Sequence, residues 1–473
     1  MMRAADRSPI AAWRDPWTLA ALAVALALRI AMARGGLWLD EAWSAVMAHE
    51  AASPVAVIAG IHHDNNHPLN SWWLQLVGLG APPLLARALA IVCSVATILP
   101  AARFAARHSA GAGRIAAWLF ALSPMLVLLG SEARGYAPML LALVLLVERV
   151  DPAAERPASP ALLAALGLLG TLGHLLMLPA ILLVGLWLAI DARGDRQARL
   201  DAVARIRPAL TASLAIVALL IGWAYAVQGG LSIGSNTPFG WPGFAAALVE
   251  LVRLTLGAAW LTPLALGMLF IGPRPDRLDV TLWALLGLGL PLGVLLLHPA
   301  NSHISRYYLL TTPVLLWLVA GRVAALFSGV RWARTASAIL LAAVLLAMTV
   351  TDARLIATRR GGPDVPVRRV AADHPGPARI LIGASRLAAV ITVAAAEHRL
   401  DVLPVGPACV PADALLIDLD DIAPSPSLDH CGLRWTLVDY RLRPYRDGSG
   451  WALYSGAGLP APGTVASGPR PAL

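Results

Sequence analysis

The sequence predicts an α-helical integral membrane protein with about eleven transmembrane helices, amphipathic helices in its first outer loop and a small extracytoplasmic α/β domain at its C-terminal end. Three observations predict it. Of 473 residues, 58% are hydrophobic and only 14% are charged, and the mean hydropathy is +0.68, far from the balance of a soluble domain. Apolar stretches of membrane-crossing length recur down to about residue 351, and in lipid their backbone groups must bond within helices. Arginines sit mainly in the short loops between those stretches, where the positive-inside rule places them.

The formal charge of +9 is therefore a matter of topology and not of nucleic-acid binding. All 37 basic residues are arginine, a usage that fits genomic base bias, although arginine also suits bidentate phosphate binding. Met1 to Pro16 carries Arg3, Arg7 and Arg14 and precedes an apolar run too long for a signal peptide, so it reads as an uncleaved cytoplasmic start. The three cysteines exclude a cysteine-rich metal centre, but Cys409 and Cys431 lie in the same polar tail and could pair if it is oxidised.

Helix 1 is expected from Trp17 to Ala33. Arg29 and Arg34 near its far end either snorkel or hold an anion beside Asp40. Residues 35–84 form a long outer loop, too polar and Trp-rich for lipid, with Gly35, Gly36, Pro54, Pro68 and Pro82 as breakers. Within it Ala42 to Ala51 and Asn70 to Leu79 are amphipathic, and Trp43, Trp72 and Trp73 suit a membrane interface. Helix 2 follows over Leu85 to Ala105, helix 3 over Ile115 to Leu129 and helix 4 over Ala137 to Val147. The apolar run from Pro160 to Ile190 is too long for one span at 1.5 Å per residue, so it is split into two short helices meeting near His174.

Arg193 to Arg207 is the most basic loop and reads as cytoplasmic. Helix 7 is expected over Leu210 to Val227, then an outer loop from Gln228 to Arg253, helix 8 over Leu254 to Ile271 and helix 9 over Val280 to Leu297. Helix 10 runs from Ser305 to about Ala324 and helix 11 from Thr335 to Thr351. An odd count leaves the C-terminus outside. Residues 1–351 thus form the membrane domain and 352–473 an extracytoplasmic domain, with disorder expected after Leu459. Its short apolar runs at 379–382, 414–417 and 435–438, separated by Pro and Gly turns, read as strands of an α/β fold.

This topology gathers four polar clusters on the outer face: Asp40-Glu41, His62 to Leu69, Glu132-Ala133-Arg134-Gly135-Tyr136, and Ser305-Arg306-Tyr307-Tyr308. Ionisable groups at a membrane boundary are costly and point to function. Carboxylates beside arginines fit a transfer in which an acid deprotonates an acceptor hydroxyl and guanidinium groups neutralise a phosphate leaving group. An enzyme working outside the cell has no nucleotide sugars, so an activated sugar must arrive on a lipid carrier. His63 and His67, four apart and beside Asp64, could hold a divalent metal on a helix, but Asn65, Asn66 and Pro68 disfavour one. A hydrogen-bonding role is preferred there, and His174 reads as a polar break.

In this order the motifs resemble those of the C-type (GT-C) membrane glycosyltransferases, over residues 17 to about 325. They are similar in particular to the protein mannosyltransferase and lipid A aminoarabinose transferase branch, and to bacterial sugar transferases that use polyprenyl-phosphate donors. The resemblance implies an inverting transfer of a monosaccharide from polyprenyl phosphate to a lipid, glycan or protein acceptor, in a bacterial inner membrane and without a required cofactor. It implies Asp40 as general base with Glu41 in support. Arg134, Arg306, Tyr136 and Tyr307 would bind the donor phosphate, and Asp64, His67 and Glu132 would make acceptor or loop contacts. The family often reads Asp-x-His-Pro-Pro-Leu where this chain has Asp64-Asn65-Asn66-His67-Pro68-Leu69. Arg29 and Arg253 join the phosphate candidates on topology alone. The alternatives are a transporter or flippase of lipid-linked sugars, whose polar groups would line a path at mid-membrane, and a non-enzymatic envelope protein working through its tail.

Overall fold

The computed structural model describes residues 15–152, 158–231, 236–271, 273–358, 364–374, 376–384, 387–406, 411–419, 422–442 and 450–456. Arg3, Arg7 and Arg14, Cys409 and the chain after Leu459 lie outside the described residues. The chain divides into two compact units. One takes Ala51–Trp73 and Leu84–Ala357 together with the chain before Arg34, and the other takes Arg34–Glu50, Leu74–Pro83 and the chain from Thr358.

The first unit is helical, and capping residues set where its helices begin. Asp15, Ser53, Ser109, Ser159, Asp195 and Asp276 each accept a backbone N–H from the first turn that follows. Proline stands in the first turn after Asp15, Ser53 and Ser159, where its missing N–H costs no helical bond. Four described helices are long and apolar enough to cross a membrane: Ala88–Ala106, Arg196–Val227, Arg277–Leu297 and Arg331–Thr358. A fifth is obtained if Trp241–Leu256 and Leu261–Phe270, bent by 74°, count as one span. Shorter apolar helices at Pro16–Met32, Ala110–Leu122, Pro160–Gly173, Met177–Asp191 and Thr311–Phe327 coincide with other spans expected from the sequence.

Several segments differ from the sequence reading. The basic stretch read as a loop is helical from Arg196, part of one 33-residue helix ending at Gln228. The expected outer loop Gln228 to Arg253 is helical from Trp241 on, within the helix Trp241–Leu256. Its two charges cancel locally, because Arg253 Nε and Nη2 each lie 2.6 Å from a carboxylate oxygen of Glu250, one turn earlier. That helix stops at Gly257, whose φ is +83° and whose place a Cβ could not fill, 2.2 Å from Met348 N. Helix 10 begins at Thr311, after a 3-10 turn at Ser305–Tyr308.

Arg29 neither snorkels nor reaches solvent; it is fully buried. Its guanidinium donates to Ala121 O at 3.0 Å, Phe120 O at 3.2 Å, Ala25 O at 3.2 Å and Ser94 Oγ at 2.7 Å. The reason is Pro124, which opens the next helix and has no N–H to offer Phe120 O. Arg322 plays the same part for the carbonyls of Met268, Ile271 and Pro273.

The second unit is built on a six-stranded sheet in the order β2-β1-β3-β6-β5-β4. The strands are β1 Ala378–Ile382, β2 Val402–Val405, β3 Ala414–Leu419, β4 Ser427–His430, β5 Leu433–Arg441 and β6 Gly450–Gly456. β1 is parallel to β2 and β3, the crossover to β2 being the helix Leu387–His398, and the remaining pairs are antiparallel. Pro404 sits in the edge strand β2, where a missing donor breaks no inner ladder. One sheet face buries Ile380, Ile382, Leu416, Trp451 and Leu453 under Val367, Val370, Leu387 and Ile391, and the other buries Leu381, Leu415, Trp435 and Tyr454. Cys431 is disulfide-bonded and Cys93 is free.

The first-loop helix Leu39–Glu50 packs on the helix Leu387–His398 of this same unit, burying Ala42, Ala45 and Ala48. Gly36 and Gly80 fit closely: a Cβ on Gly36 would lie 3.0 Å from Asp364 Oδ1, and one on Gly80 would lie 3.2 Å from Ala396 O. Sequence far from the C-terminal domain is therefore part of its fold.

Candidate active site

In the first unit two of the polar clusters, His62 to Leu69 and Glu132 to Tyr136, meet at Arg134. It lies in the turn between the helices Pro124–Leu129 and Tyr136–Val150 and is only 5% exposed. Arg134 Nη2 donates to Asn65 Oδ1 at 2.7 Å and lies 3.4 Å from His67 Nε2. Its Cζ stands 5.2 Å from the centre of the Tyr136 ring. Asn70 Nδ2 donates to Ala133 O at 2.7 Å and so ties the first-loop helix Pro68–Val77 to the same turn.

A stack of rings backs this arginine. His67 and His174 are stacked with centroids 4.7 Å apart, and Tyr136 packs on His174 at 4.5 Å. Glycine makes the stack possible, since a Cβ on Gly135 would lie 1.7 Å from Gly173 O and 2.9 Å from His67 Cβ. The two backbones cross almost in contact, which sets the neighbouring residues Tyr136 and His174 ring against ring.

Burial, then His174, Arg134 and Arg306, hold His67 well below the usual imidazole range. Burial and the same two arginines push His174 down to about 3. Both rings are neutral at pH 7, and their neighbours fix the tautomers. Leu176 N donates to His174 Nδ1 at 3.1 Å, so the His174 proton is on Nε2. His67 Nε2 faces the Arg134 donor, so its proton is on Nδ1. Arg306, in the 3-10 turn, acts on His67, His174 and Tyr307, and burial pushes the Tyr307 hydroxyl up to about 12. The buried Arg134 guanidinium thus sits among neutral rings on which the charge of the half-buried Arg306 also acts, an environment suited to an anion with several acceptor oxygens.

The other sequence candidates are placed as follows. Glu132 is buried in the Arg134 turn, and its carbonyl accepts from Arg134 N at 2.7 Å. Asp64 Oδ1 lies 2.9 Å from His63 Nδ1, and its charge is felt by Tyr307. Residues 63–67 form a turn, with Pro68 opening the helix, so His63 and His67 do not share a helical face. Among the described residues no three His, Cys, Asp or Glu side chains are grouped to hold a metal ion. Arg253 is engaged with Glu250 rather than offered to a phosphate.

Asp40 and Glu41 belong to the second unit, in the first turn of Leu39–Glu50, where a carboxylate complements the helix dipole. Their environments differ. Glu41 is fully buried and accepts from Trp38 N at 3.1 Å, a capping bond, whereas Asp40 is half-buried. Sequence reasoning passed over Asn65 and gave His174 a bland role. The signal for His174 was present, as it stands with Thr171 in the one polar interruption of a long apolar run.

An apolar cavity of about 380 Å³ in the first unit is walled by Pro54, Val55, Ile58, Ala59, Trp72, Leu219 and Trp223. The indole N–H groups of Trp72 and Trp223 donate to Pro54 O and Ala59 O, leaving apolar ring surface to the cavity.

No family model and no curated protein sequence matches the chain. Among solved structures it is similar to ArnT from Cupriavidus metallidurans, at 11% identity, over 92% of this chain and 97% of that chain, with a TM-score of 0.53. The Archaeoglobus fulgidus oligosaccharyltransferase is matched at 11% identity over 86% of this chain and 70% of that one, with a TM-score of 0.47. The mycobacterial arabinofuranosyltransferase AftD is matched at 20% identity and a TM-score of 0.49, this chain spanning 40% of its length. The likeness to ArnT runs nearly end to end in both chains and, with the long apolar helices, fixes the architecture: this is a membrane protein with the fold of the C-type (GT-C) glycosyltransferases.

Proposed function

We propose that the protein is a glycosyltransferase that moves a monosaccharide from a polyprenyl-phosphate donor to an acceptor hydroxyl, with inversion. The observation that carries the reading is the buried Arg134 guanidinium, held by Asn65 and His67 above the Tyr136 ring. The acceptor oxygen attacks the anomeric carbon while the bond from that carbon to the phosphate oxygen breaks. Asp40 takes the hydroxyl proton, and the phosphate leaves with the electron pair, its charge met by Arg134 and Arg306 with Tyr136 and Tyr307 beside them. Glu41 supports the helix that carries Asp40. Asp64, His67 and Glu132 shape the surrounding loop. The apolar cavity suits part of a hydrocarbon chain, as a lipid carrier requires. In this reading the protein spans a bacterial inner membrane with its C-terminal domain outside, and the acceptor is a lipid, glycan or protein.

The test is release of polyprenyl phosphate by the purified protein in vesicles, supplied with a panel of polyprenyl-phosphate sugars. Arg134→Gln should lower kcat at least ~100-fold. Equal release by wild type and Arg134→Gln would reject the phosphate assignment.

A further inference from the structure

We propose that His174 is a positioning residue of this site: through its stack with His67 and Tyr136 it holds the Arg134 guanidinium in the orientation that meets a phosphate oxygen. The proposal rests on the reading of Arg134 as phosphate-binding.

The geometry is a chain of constraints. His174 is extended at the end of the helix Pro160–Gly173, and its backbone N–H donates to Gly170 O at 2.9 Å. Its carbonyl accepts from Met177 N at 3.0 Å, and its ring nitrogen Nδ1 accepts from Leu176 N at 3.1 Å. Backbone and ring are thus both tethered, so the imidazole cannot swing. What it offers its neighbours is a flat face, with His67 at 4.7 Å and Tyr136 at 4.5 Å. Both of these rings reach Arg134: His67 through Nε2 at 3.4 Å, and Tyr136 with its ring centre 5.2 Å from the guanidinium carbon. The close crossing of Gly135 and Gly173 keeps the stack in register.

Chemistry favours this arrangement for an arginine meant to bind an anion. Asn65 Oδ1 accepts from Arg134 Nη2 and the neutral His67 ring lies beside it, so two uncharged side chains help to aim the fork. An aromatic plane at position 174 supports His67 and Tyr136 and brings no charge of its own at pH 7. Stacked rings also resist the small displacements to which catalytic geometry is sensitive.

Three variants separate the stack from its alternatives. His174→Phe keeps an aromatic plane and removes the ring nitrogens; His174→Leu keeps volume without the plane; His174→Ala removes both. We would measure kcat, the KM for a polyprenyl-phosphate sugar and for the acceptor, the Kd for farnesyl phosphate, and thermal unfolding. His174→Leu and His174→Ala should raise the donor KM and the farnesyl phosphate Kd about 10-fold, with the acceptor KM unchanged, while His174→Phe stays within about 2-fold of wild type. If His174→Ala does not fold, the Leu and Phe variants decide. Wild-type farnesyl phosphate affinity in His174→Leu overturns the proposal, as does a loss in His174→Phe equal to that in His174→Leu. Arg134→Gln runs in parallel: if it weakens farnesyl phosphate and His174→Leu does not, only the positioning role fails. If neither weakens it, the phosphate reading fails as well.

Discussion

Gly135→Ala is the sharpest probe of the ring cluster. The added Cβ would lie 1.7 Å from Gly173 O, 2.7 Å from Gly173 C and 2.9 Å from His67 Cβ. Relief requires the two backbones to separate by more than about 1 Å, since non-bonded carbon and oxygen do not approach so closely. No flexible side chain can yield, because the obstacle is a carbonyl at the end of a helix. Overpacking of this kind costs about 1–3 kcal/mol of stability. The residues next in line, Tyr136 and His174, would move apart with the backbones, and a misplacement of about 1 Å at a catalytic site costs on the order of 100-fold in rate. The expected outcome is therefore a fall of about 100-fold in kcat/KM, or about 2.7 kcal/mol of transition-state stabilisation. It should come with a lowered unfolding temperature in a protein that still inserts. Gly222→Ala is the matched control, since a Cβ there meets no atom within 4 Å in the middle of a helix, and Ala should be neutral or stabilising by about 0.5–1 kcal/mol. Wild-type kcat/KM and unfolding temperature in Gly135→Ala would refute the account of the cluster.

Gly36→Val pushes against Asp364 at the root of the helix bearing Asp40, so it should lower kcat several-fold, about 3–10 times, with farnesyl phosphate affinity unchanged. Arg29→Leu leaves the carbonyls of Phe120 and Ala121 without their donor and should cost about 3 kcal/mol, read as a lower unfolding temperature. The pH dependence follows from His67 and His174, whose folded values lie below that of a free imidazole. Below about pH 6.5 the unfolded rings bind protons that the native rings refuse. Their contribution to stability is thus complete above that pH and is lost as pH falls towards the folded values. His174→Phe should flatten the fall in unfolding temperature between pH 6.5 and 5.

What was legible in the sequence was whatever a local pattern encodes. Caps and prolines such as Ser159-Pro160 mark helix starts, and the polarity of Thr171 to His174 marked the break observed after Gly173. The apolar runs at 379–382, 414–417 and 435–438 lie within β1, β3 and β5. The segment around Trp241 was misread because Glu250 and Arg253 look like loop polarity until they are seen to neutralise each other across one helical turn. Arg29 looked like a boundary residue because its partners are carbonyls that only the fold brings to it. Arg134, His67, Tyr136 and Arg306 stood out in the sequence by chemistry, and the structure brings the first three into contact. The ring stack of His174 was not legible, because it depends on a backbone crossing between two glycines 38 positions apart, nor was the bond from Arg134 to Asn65, 69 positions away. That Asp40 and Glu41 fold with the C-terminal domain has the same cause, a helix contact between residues some 350 positions apart.

In the proposed reaction Asp40 is the base of a transfer that expels a lipid phosphate. Asp40→Asn keeps the size of the side chain and its place in the first helical turn while removing the proton acceptor. Polyprenyl-phosphate release by this variant, measured in vesicles at saturating donor and acceptor, should fall by about 100-fold to 10,000-fold, with farnesyl phosphate affinity and unfolding temperature unchanged. Undiminished turnover in Asp40→Asn would rule out Asp40 as that base.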